Sequence, residues 1–234
     1  MKTLRSLLLS AMLLPLGASA AVTLVQTSDP GYYNNSIGTL LNLSNTGTDT
    51  CAEPFPTSND CAATYPTAPN LSAASGVLGN WLTNPLSLNS NWSSAPIPIP
   101  NSWAVGTEVA AIYRFDTLGA TGVTASFGVD NGIFLWLDGV YLFGARGPGS
   151  VTPGEYSLSL GDLTAGSHFL QILLEDHGSV NGYNVRITAD TYIPGTPGNG
   201  VPEPASLALL GLGLAGLGLA RRKGLRTESC SVQH

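Results

Sequence analysis

Apolar residues come in short blocks through the second half of the chain, and turn-forming Gly, Pro, Asp and Asn residues separate the blocks. Blocks of this length that are rich in β-branched and aromatic residues are typical of β-strands. They predict strands at residues 108–115, 123–129, 133–137, 140–143, 156–160, 168–175 and 183–189. No segment of ordinary helix length stands out between them. The pattern predicts an all-β domain, folded as an antiparallel β-sandwich of the jelly-roll type.

Residues 21–100 are rich in Asn, Ser, Thr and Pro and contain only short apolar runs. They predict strands joined by long loops, with an extended proline-rich stretch at residues 96–100. Trp81, Trp92 and Trp103 lie in the loop-rich segment that precedes the predicted strand at residue 108. They either rim a carbohydrate groove or, as is more common, fix the loops to the sandwich, because each indole buries a large apolar area.

The dipeptide Asp138-Gly139 is a strong signal for a two-residue hairpin turn. Such a loop pairs the residues that flank it, which sets the register of both strands. The predicted pairs are Leu137 with Val140, Trp136 with Tyr141, Leu135 with Leu142, and Phe134 with Phe143. One face of this hairpin is then aliphatic and the other is aromatic.

The aromatic face of the hairpin has two interpretations. Aromatic rings on an open sheet can stack against the apolar faces of sugars, while nearby Asn and Asp side chains bind the hydroxyls. Alternatively, the four rings belong to the core or lie under the N-terminal segment. The second interpretation is favoured, because four exposed aromatic side chains would form an unusually large apolar patch.

Both ends of the chain carry targeting signals. Lys2 and Arg5 precede an apolar segment at residues 7–16, and small residues follow up to Ala20, which predicts a signal helix cleaved by signal peptidase after Ala20. Near the other end, Pro202-Glu203-Pro204 precedes an apolar run at residues 205–220 and the basic cluster Arg221-Arg222-Lys223. As a helix this run spans about 24 Å, less than the roughly 30 Å of a bilayer core, and the basic cluster should stay cytoplasmic.

The three zones of this tail resemble the PEP-CTERM sorting signal of Gram-negative bacteria, which the membrane enzyme exosortase recognises. The resemblance implies an exported protein that is processed at the motif; a simple C-terminal anchor is the alternative. The polar residues 224–234 extend beyond the usual end of the signal. The predicted organisation is a signal peptide at 1–20, a β-sandwich domain at 21–192, a Gly/Pro linker at 193–200, a sorting signal with a transmembrane helix at 201–223 and a polar tail at 224–234.

Charge and cysteine content agree with export. The part of the chain between the signal peptide and the sorting signal contains three arginines (Arg114, Arg146 and Arg186) and thirteen acidic residues, which gives it a net charge of about −10. This balance opposes binding to nucleic acid or to an anionic membrane. Cys51 and Cys61 would meet an oxidising compartment and predict a disulfide, whereas no set of ligands for a metal or cofactor is evident.

The segments 130–143 and 162–170 also resemble the galactose-binding-like and PA14-like β-sandwiches, which share an acidic turn before a strand, a hairpin with a D-G or N-G tip, and an L-x-x-G-x-H/N-x-L segment. The resemblance implies that Asp130 and Asn131 lie in the loop that forms a glycan or calcium site in some members. Those members often have two adjacent acidic residues where this chain has Asp130-Asn131. The missing second carboxylate argues against calcium binding.

The sequence gives no support for catalysis. Glu175, Asp176 and His177 are consecutive, so their side chains alternate in direction, and a solvated turn in which Asp176 caps backbone donors is the favoured interpretation. We therefore expect a non-catalytic surface or extracellular-matrix protein, sorted by exosortase and associated with exopolysaccharide. Glycan binding would use Asp130, Asn131, Trp136 and Tyr141. A purely structural matrix protein is the alternative, and a hydrolase is a weaker one.

Overall fold

The computed structural model of the chain describes residues 20–43, 63–147, 150–176 and 180–195. All of them belong to the first of two compact units, Met1–Thr196, whereas the second unit, Pro197–His234, lies outside the described residues. Also outside them lie the predicted signal helix, Cys51 and Cys61, the motif Pro202-Glu203-Pro204 and the basic cluster Arg221-Arg222-Lys223. In the described ranges no helix has the length and apolar character needed to cross a bilayer.

The described residues form eleven β-strands joined in one antiparallel sheet system. They are β1 Val22–Gln26, β2 Pro30–Gly38, β3 Ala63–Thr64, β4 Ile97–Pro98, β5 Glu108–Asp130, β6 Gly132–Leu137, β7 Val140–Arg146, β8 Tyr156–Leu163, β9 Gly166–Glu175, β10 Gly182–Ala189 and β11 Thr191–Pro194. A short 3-10 turn at Ser72–Ala74 and a one-turn helix α1 at Ser75–Leu78 are the helical elements of the described residues. The predicted all-β, antiparallel class is confirmed at this level.

The sheet curls around its longest strand, β5. The N-terminal half of β5 pairs with β2 and β9, and its C-terminal half pairs with β8 and β10. Two glycines lie between the halves with positive φ, Gly119 at 148° and Gly122 at 60°. The sequence predicted two strands here, at residues 108–115 and 123–129, which was wrong. Glycine adopts these φ values without steric cost, so the chain bends and remains one strand.

The concave face of the curled sheet encloses the larger of two hydrophobic cores. Alternate residues of β5, from Val109 to Val129, point into this core. The strands beside β5 contribute Leu135 from β6, Ile172 from β9 and Val185 from β10. We call this the inner core; because side chains alternate along a strand, the residues between these face the opposite side of the sheet.

A second core, the outer core, lies on the opposite face of the half of the sheet that contains β6 and β9. Residues 65–92, which we call the covering loops, pack over this face. From the sheet come Phe134, Trp136 and Leu173, and from the covering loops come Trp81 and Trp92. The loop-rich part of the sequence therefore has a packing role, because its buried residues seal an apolar sheet face from water.

The hairpin of β6 and β7 follows the predicted register only near its turn. Leu137 pairs with Val140 and Trp136 with Tyr141, as predicted. The register then shifts, so that Leu135 faces Phe143, Phe134 faces Gly144, and Leu142 is skipped. A bulge of this kind moves every later side chain to the other face of the strand. Both pairs predicted beyond Tyr141 were wrong for this reason.

The bulge separates the aromatic residues that the sequence placed on one face. Phe143 packs in the inner core, with its ring centroid 5.1 Å from that of Phe127 and 5.4 Å from that of Tyr156. Phe134 and Trp136 remain in the outer core.

At the C-terminal edge, Ile193 and Pro194 pair with β5, although the sequence placed them in the linker.

Candidate functional site

Trp136, the centre of the predicted stacking face, is buried in a cluster of aromatic rings. Its side chain is 2% exposed, and its ring lies 5.4 Å from that of Trp81 and 5.3 Å from that of Tyr141. Trp81 in turn stacks on Trp92 at 5.8 Å. The covering loops therefore close this face, and a sugar ring has no access to Trp136. In this structure the aromatic face of the hairpin is therefore part of a hydrophobic core, as the favoured interpretation of the sequence expected.

Trp81 and Trp92 fix the covering loops to the sheet, which is the more common role foreseen for them. The indole N–H of Trp92 donates to the carbonyl of Leu78 at the end of α1 (3.1 Å). Tyr141, half-buried at the edge of the cluster, donates its hydroxyl to the carbonyl of Tyr65 (2.7 Å). Burial raises the pKa of Tyr141 to about 12. Each polar tip is thus bound to a loop carbonyl.

Asp130 and Asn131 lie at the turn between β5 and β6, and both are buried. The peptide bond between them is cis, and the side-chain amide of Asn131 donates to Asp130 Oδ1 (3.0 Å). The carbonyl of Asn131 accepts from the backbone N–H of Gly147 (2.8 Å). Asp130 pairs with Gly182 of β10, a residue that lines the groove described below. Their role in a glycan site stays a prediction.

Buried charges near this turn hold neighbouring segments together. Glu175 Oε1 lies 3.3 Å from Arg146 Nε, and both side chains are 2% exposed. Glu108 accepts hydrogen bonds from the backbone N–H groups of Leu41 (3.2 Å) and Leu43 (2.9 Å). Burial raises the pKa of Glu108, although these hydrogen bonds act in the opposite direction. These carboxylates bind groups of the chain itself.

Asp176 caps a backbone donor, as the sequence predicted. Its Oδ2 accepts from the N–H of Gly106 at 2.6 Å. The predicted solvated turn was wrong on exposure, because Asp176 is 1% exposed. His177 lies outside the described residues.

Two tyrosine hydroxyls form a short buried chain across the inner core. The hydroxyls of Tyr113 and Tyr183 are 2.6 Å apart, and Tyr113 donates to the carbonyl of Thr27 (3.2 Å). The proton shared by the two hydroxyls therefore belongs to Tyr183. Burial raises the pKa of Tyr113 far above its usual range and that of Tyr183 to about 12. Both rings are held neutral by the fold.

We expect the protein to lose stability above pH 10 because of this pair. An unfolded tyrosine ionises near pH 10, so the stabilisation from a raised pKa is complete below that pH and is lost as the pH rises through about 12. At pH 7, Tyr183→Phe should lower the free energy of unfolding by about 1 kcal/mol, because one buried hydrogen bond is lost. Between pH 10 and pH 12, the variant should lose on the order of 2 kcal/mol less stability than the unaltered protein. Urea unfolding at pH 7, 10 and 12 measures both effects. An unchanged decline in the variant would contradict this assignment.

A polar groove of about 950 Å³ lies on the outer surface of the C-terminal half of the sheet. Ser126 of β5 and Asn184 and Arg186 of β10 form its floor, because their strand neighbours point into the inner core. Its walls come from the turn after β1, from residues 101–102 and from residues 151–154. The carbonyl of Thr152 lies so close over Gly128 that a Cβ there would overlap it.

The groove presents hydrogen-bonding groups that the fold does not use. Gln26, Asn101 and Ser102 line it with exposed side chains, which make no hydrogen bond to other described residues. The side-chain amide of Asn181 already makes two hydrogen bonds within the protein: it accepts from the backbone N–H of Trp103 (2.9 Å) and donates to the carbonyl of Trp103 (3.0 Å). Among the described residues that line the groove, none is Asp, Glu or His.

Sequence reasoning missed this groove. The polar positions at Thr124, Ser126, Asn184 and Arg186 alternate with apolar ones, which signals only a solvent-facing side of two strands. Nothing local shows that β5 and β10 are neighbours, or that residues 101–102 and 151–154 meet beside them. The groove arises from segments that are far apart in the chain.

The family comparison matches the PEP-CTERM protein-sorting motif to residues 200–223. The chain carries a PEP-CTERM sorting motif. This motif includes Pro202, Glu203 and Pro204, the residues from which the sequence predicted it. It implies processing by exosortase and export to the cell surface. Among curated proteins, none matches the chain.

Solved structures that are similar to the chain include two PA14 domains. The PA14 sugar-binding domain from an RTX adhesin is 11% identical, with 45% of this chain and 61% of that chain covered and a TM-score of 0.27. The PA14 domain of an antifreeze protein is 14% identical, with 73% and 88% covered and a TM-score of 0.31. An α-xylosidase from Xanthomonas citri is 13% identical, with 37% and 11% covered and a TM-score of 0.25.

The body thus resembles PA14 domains, the second resemblance that its sequence suggested. The alignment spans 61% of the adhesin domain and 11% of the xylosidase chain.

Proposed function

We propose that the chain is a non-catalytic protein of the cell surface or extracellular matrix that binds exopolysaccharide through the polar groove. The observation that carries this proposal is the lining of the groove, which offers amides, hydroxyls and a guanidinium in one open depression. Sugars present many hydroxyl groups, each both a donor and an acceptor, and side chains of these types match them. The export implied by the sorting motif would bring the groove to extracellular polysaccharide.

The curled sheet supports a finer proposal about the fold, a jelly-roll-type sandwich. The two halves of β5 belong to two sets of strands that share one inner core. A closed core of this type holds the outer strands rigidly, and a rigid floor lowers the entropy lost when a polymer binds. The groove would therefore be preformed.

The absence of catalysis is part of the proposal. A glycosidase needs two carboxyl groups that face each other across a cleft. The buried carboxylates Glu108, Glu175 and Asp176 bind backbone donors or an arginine, and the described lining of the groove contains no carboxylate. A purely structural matrix protein is the second candidate, favoured by the burial of Trp136 in the core.

Blocking the floor of the groove tests the binding proposal. Ser126→Phe would place a ring in the groove, and we expect at least a tenfold loss of affinity, about 1.4 kcal/mol. Asn101→Ala removes one exposed amide without touching the core and should weaken binding about three- to tenfold. Affinity electrophoresis of the purified full chain measures both, in gels that contain the extracellular polysaccharide of the producing cells, dextran or polygalacturonate.

Ser159→Phe is the matched control for the blocking variant. Ser159 is exposed on the neighbouring strand β8, pairs with Thr124 and does not line the groove. Its substitution should leave binding unchanged. Retention of none of the three polysaccharides by the unaltered chain would favour the structural candidate, and equal losses in both phenylalanine variants would argue against the groove.

A further inference from the structure

We propose that the groove selects acidic polysaccharides, with Arg186 binding the carboxylate of a uronic acid residue; this specificity rests on the proposed polysaccharide binding. Arg186 lies on the floor of the groove and is exposed. A guanidinium and a carboxylate form paired, charge-assisted hydrogen bonds that a neutral sugar cannot provide.

Arg186 is held in an orientation that leaves donors available. Its Nε and Nη2 atoms both donate to the hydroxyl oxygen of Thr23, at 3.3 Å and 2.8 Å. A guanidinium has five N–H donors in a planar fork, so the edge formed by Nη1 and Nη2 keeps two parallel N–H groups. Two parallel N–H groups of this kind can bind a carboxylate through two hydrogen bonds. Thr23 thus fixes the plane of the guanidinium before the ligand arrives.

The other two arginines of the body already have carboxylate partners. Arg114 Nη2 lies 2.9 Å from Asp116 Oδ1, and Arg146 is buried against Glu175. Arg186 has no carboxylate partner among the described residues.

The acidic character of the body does not extend into the groove lining. Three arginines against thirteen acidic residues give the body about −10 overall, a charge that repels anionic polymers at long range. At physiological ionic strength this repulsion is screened beyond about 8 Å. Asp29, beside the groove, accepts a hydrogen bond from the backbone N–H of Gln26 (2.9 Å) and does not line the groove. Arg186 is therefore the only charged side chain among the described residues that line the groove.

Polygalacturonate and its fully methyl-esterified form test this selectivity, because they share one backbone and differ in the carboxylate. Affinity electrophoresis of the full chain should show stronger retention by polygalacturonate than by the ester. Arg186→Gln should weaken retention by polygalacturonate at least about tenfold and retention by the ester clearly less, because glutamine keeps an amide donor for sugar hydroxyls but has no charge for a carboxylate. Arg114→Gln, which changes the net charge equally, is the control and should behave like the unaltered chain.

Each outcome separates this specificity from the proposed function. Equal retention by the acid and the ester, or an Arg186→Gln variant that binds like the unaltered chain, overturns the role of Arg186 while polysaccharide binding stands. Equal retention by dextran sulfate and polygalacturonate overturns the preference for carboxylates. Failure of the unaltered chain to bind the polysaccharide of the producing cells, dextran, polygalacturonate and its ester overturns the proposed function itself.

Discussion

Trp136→Ala is expected to reduce the free energy of unfolding by about 3–5 kcal/mol, the usual range for removing a large buried aromatic side chain. Trp136 is 2% exposed and packs edge-on against both Trp81 and Tyr141. The variant leaves a cavity between the sheet and the covering loops, and it also removes the surface on which Trp81 rests. The covering loops should therefore loosen along with the sheet.

Urea unfolding monitored by far-ultraviolet circular dichroism measures this loss, and Trp136→Phe is the control. Phenylalanine keeps an aromatic ring in the cluster, so its cost should be clearly smaller than that of alanine. Retention by polysaccharide should be the same for the folded fraction of both variants, because the groove lies on the other half of the sheet, away from β6. A stable Trp136→Ala protein that no longer binds polysaccharide would restore the aromatic stacking face as the glycan site.

Arg146→Met is expected to cost a similar 3–5 kcal/mol, for an electrostatic reason. The substitution keeps much of the side-chain volume but leaves the Glu175 carboxylate buried without its cation. Gly132 gives Glu175 its space, since a Cβ there would overlap the carboxylate. Burying a carboxylate without the guanidinium that compensates its charge costs stability.

Glu175→Gln and the double variant complete a thermodynamic cycle for this pair. If the pair is coupled, the double variant should lose clearly less stability than the sum of the two single variants. Chemical unfolding at pH 7 gives the three free energies. Additive losses would show that Arg146 and Glu175 stabilise the fold independently of each other.

Local patterns in the sequence predicted the strands well where apolar blocks were bounded by turn residues. The block that became β10 was predicted at residues 183–189 and forms Gly182–Ala189. The Asp138-Gly139 turn was also correct, together with the two residue pairs closest to it. Alternation and turn chemistry act over a few residues, so the local sequence is enough to predict a single strand or the tip of a hairpin.

The candidate sites were harder to predict, because burial depends on what packs over a face. The sequence left the face around Trp136 open between core and stacking platform. Its burial was decided by Trp81 and Trp92, which come from loops more than forty residues earlier in the chain. The bulge at Leu142, which moved Phe143 into the inner core, likewise has no local signal in a strand of apolar residues.

The sequence alone determined the targeting of this protein and its structural class. A sorting motif is read as a linear string, and a strand is recognised by its own alternation, so neither requires knowledge of distant contacts. The tertiary structure alone decided which face is covered and where the groove lies. Arg186 binds Thr23 and pairs with Ser126 because β10 lies between β1 and β5. Such pairings are set by the burial of the whole inner core, to which every strand contributes and which no single segment encodes.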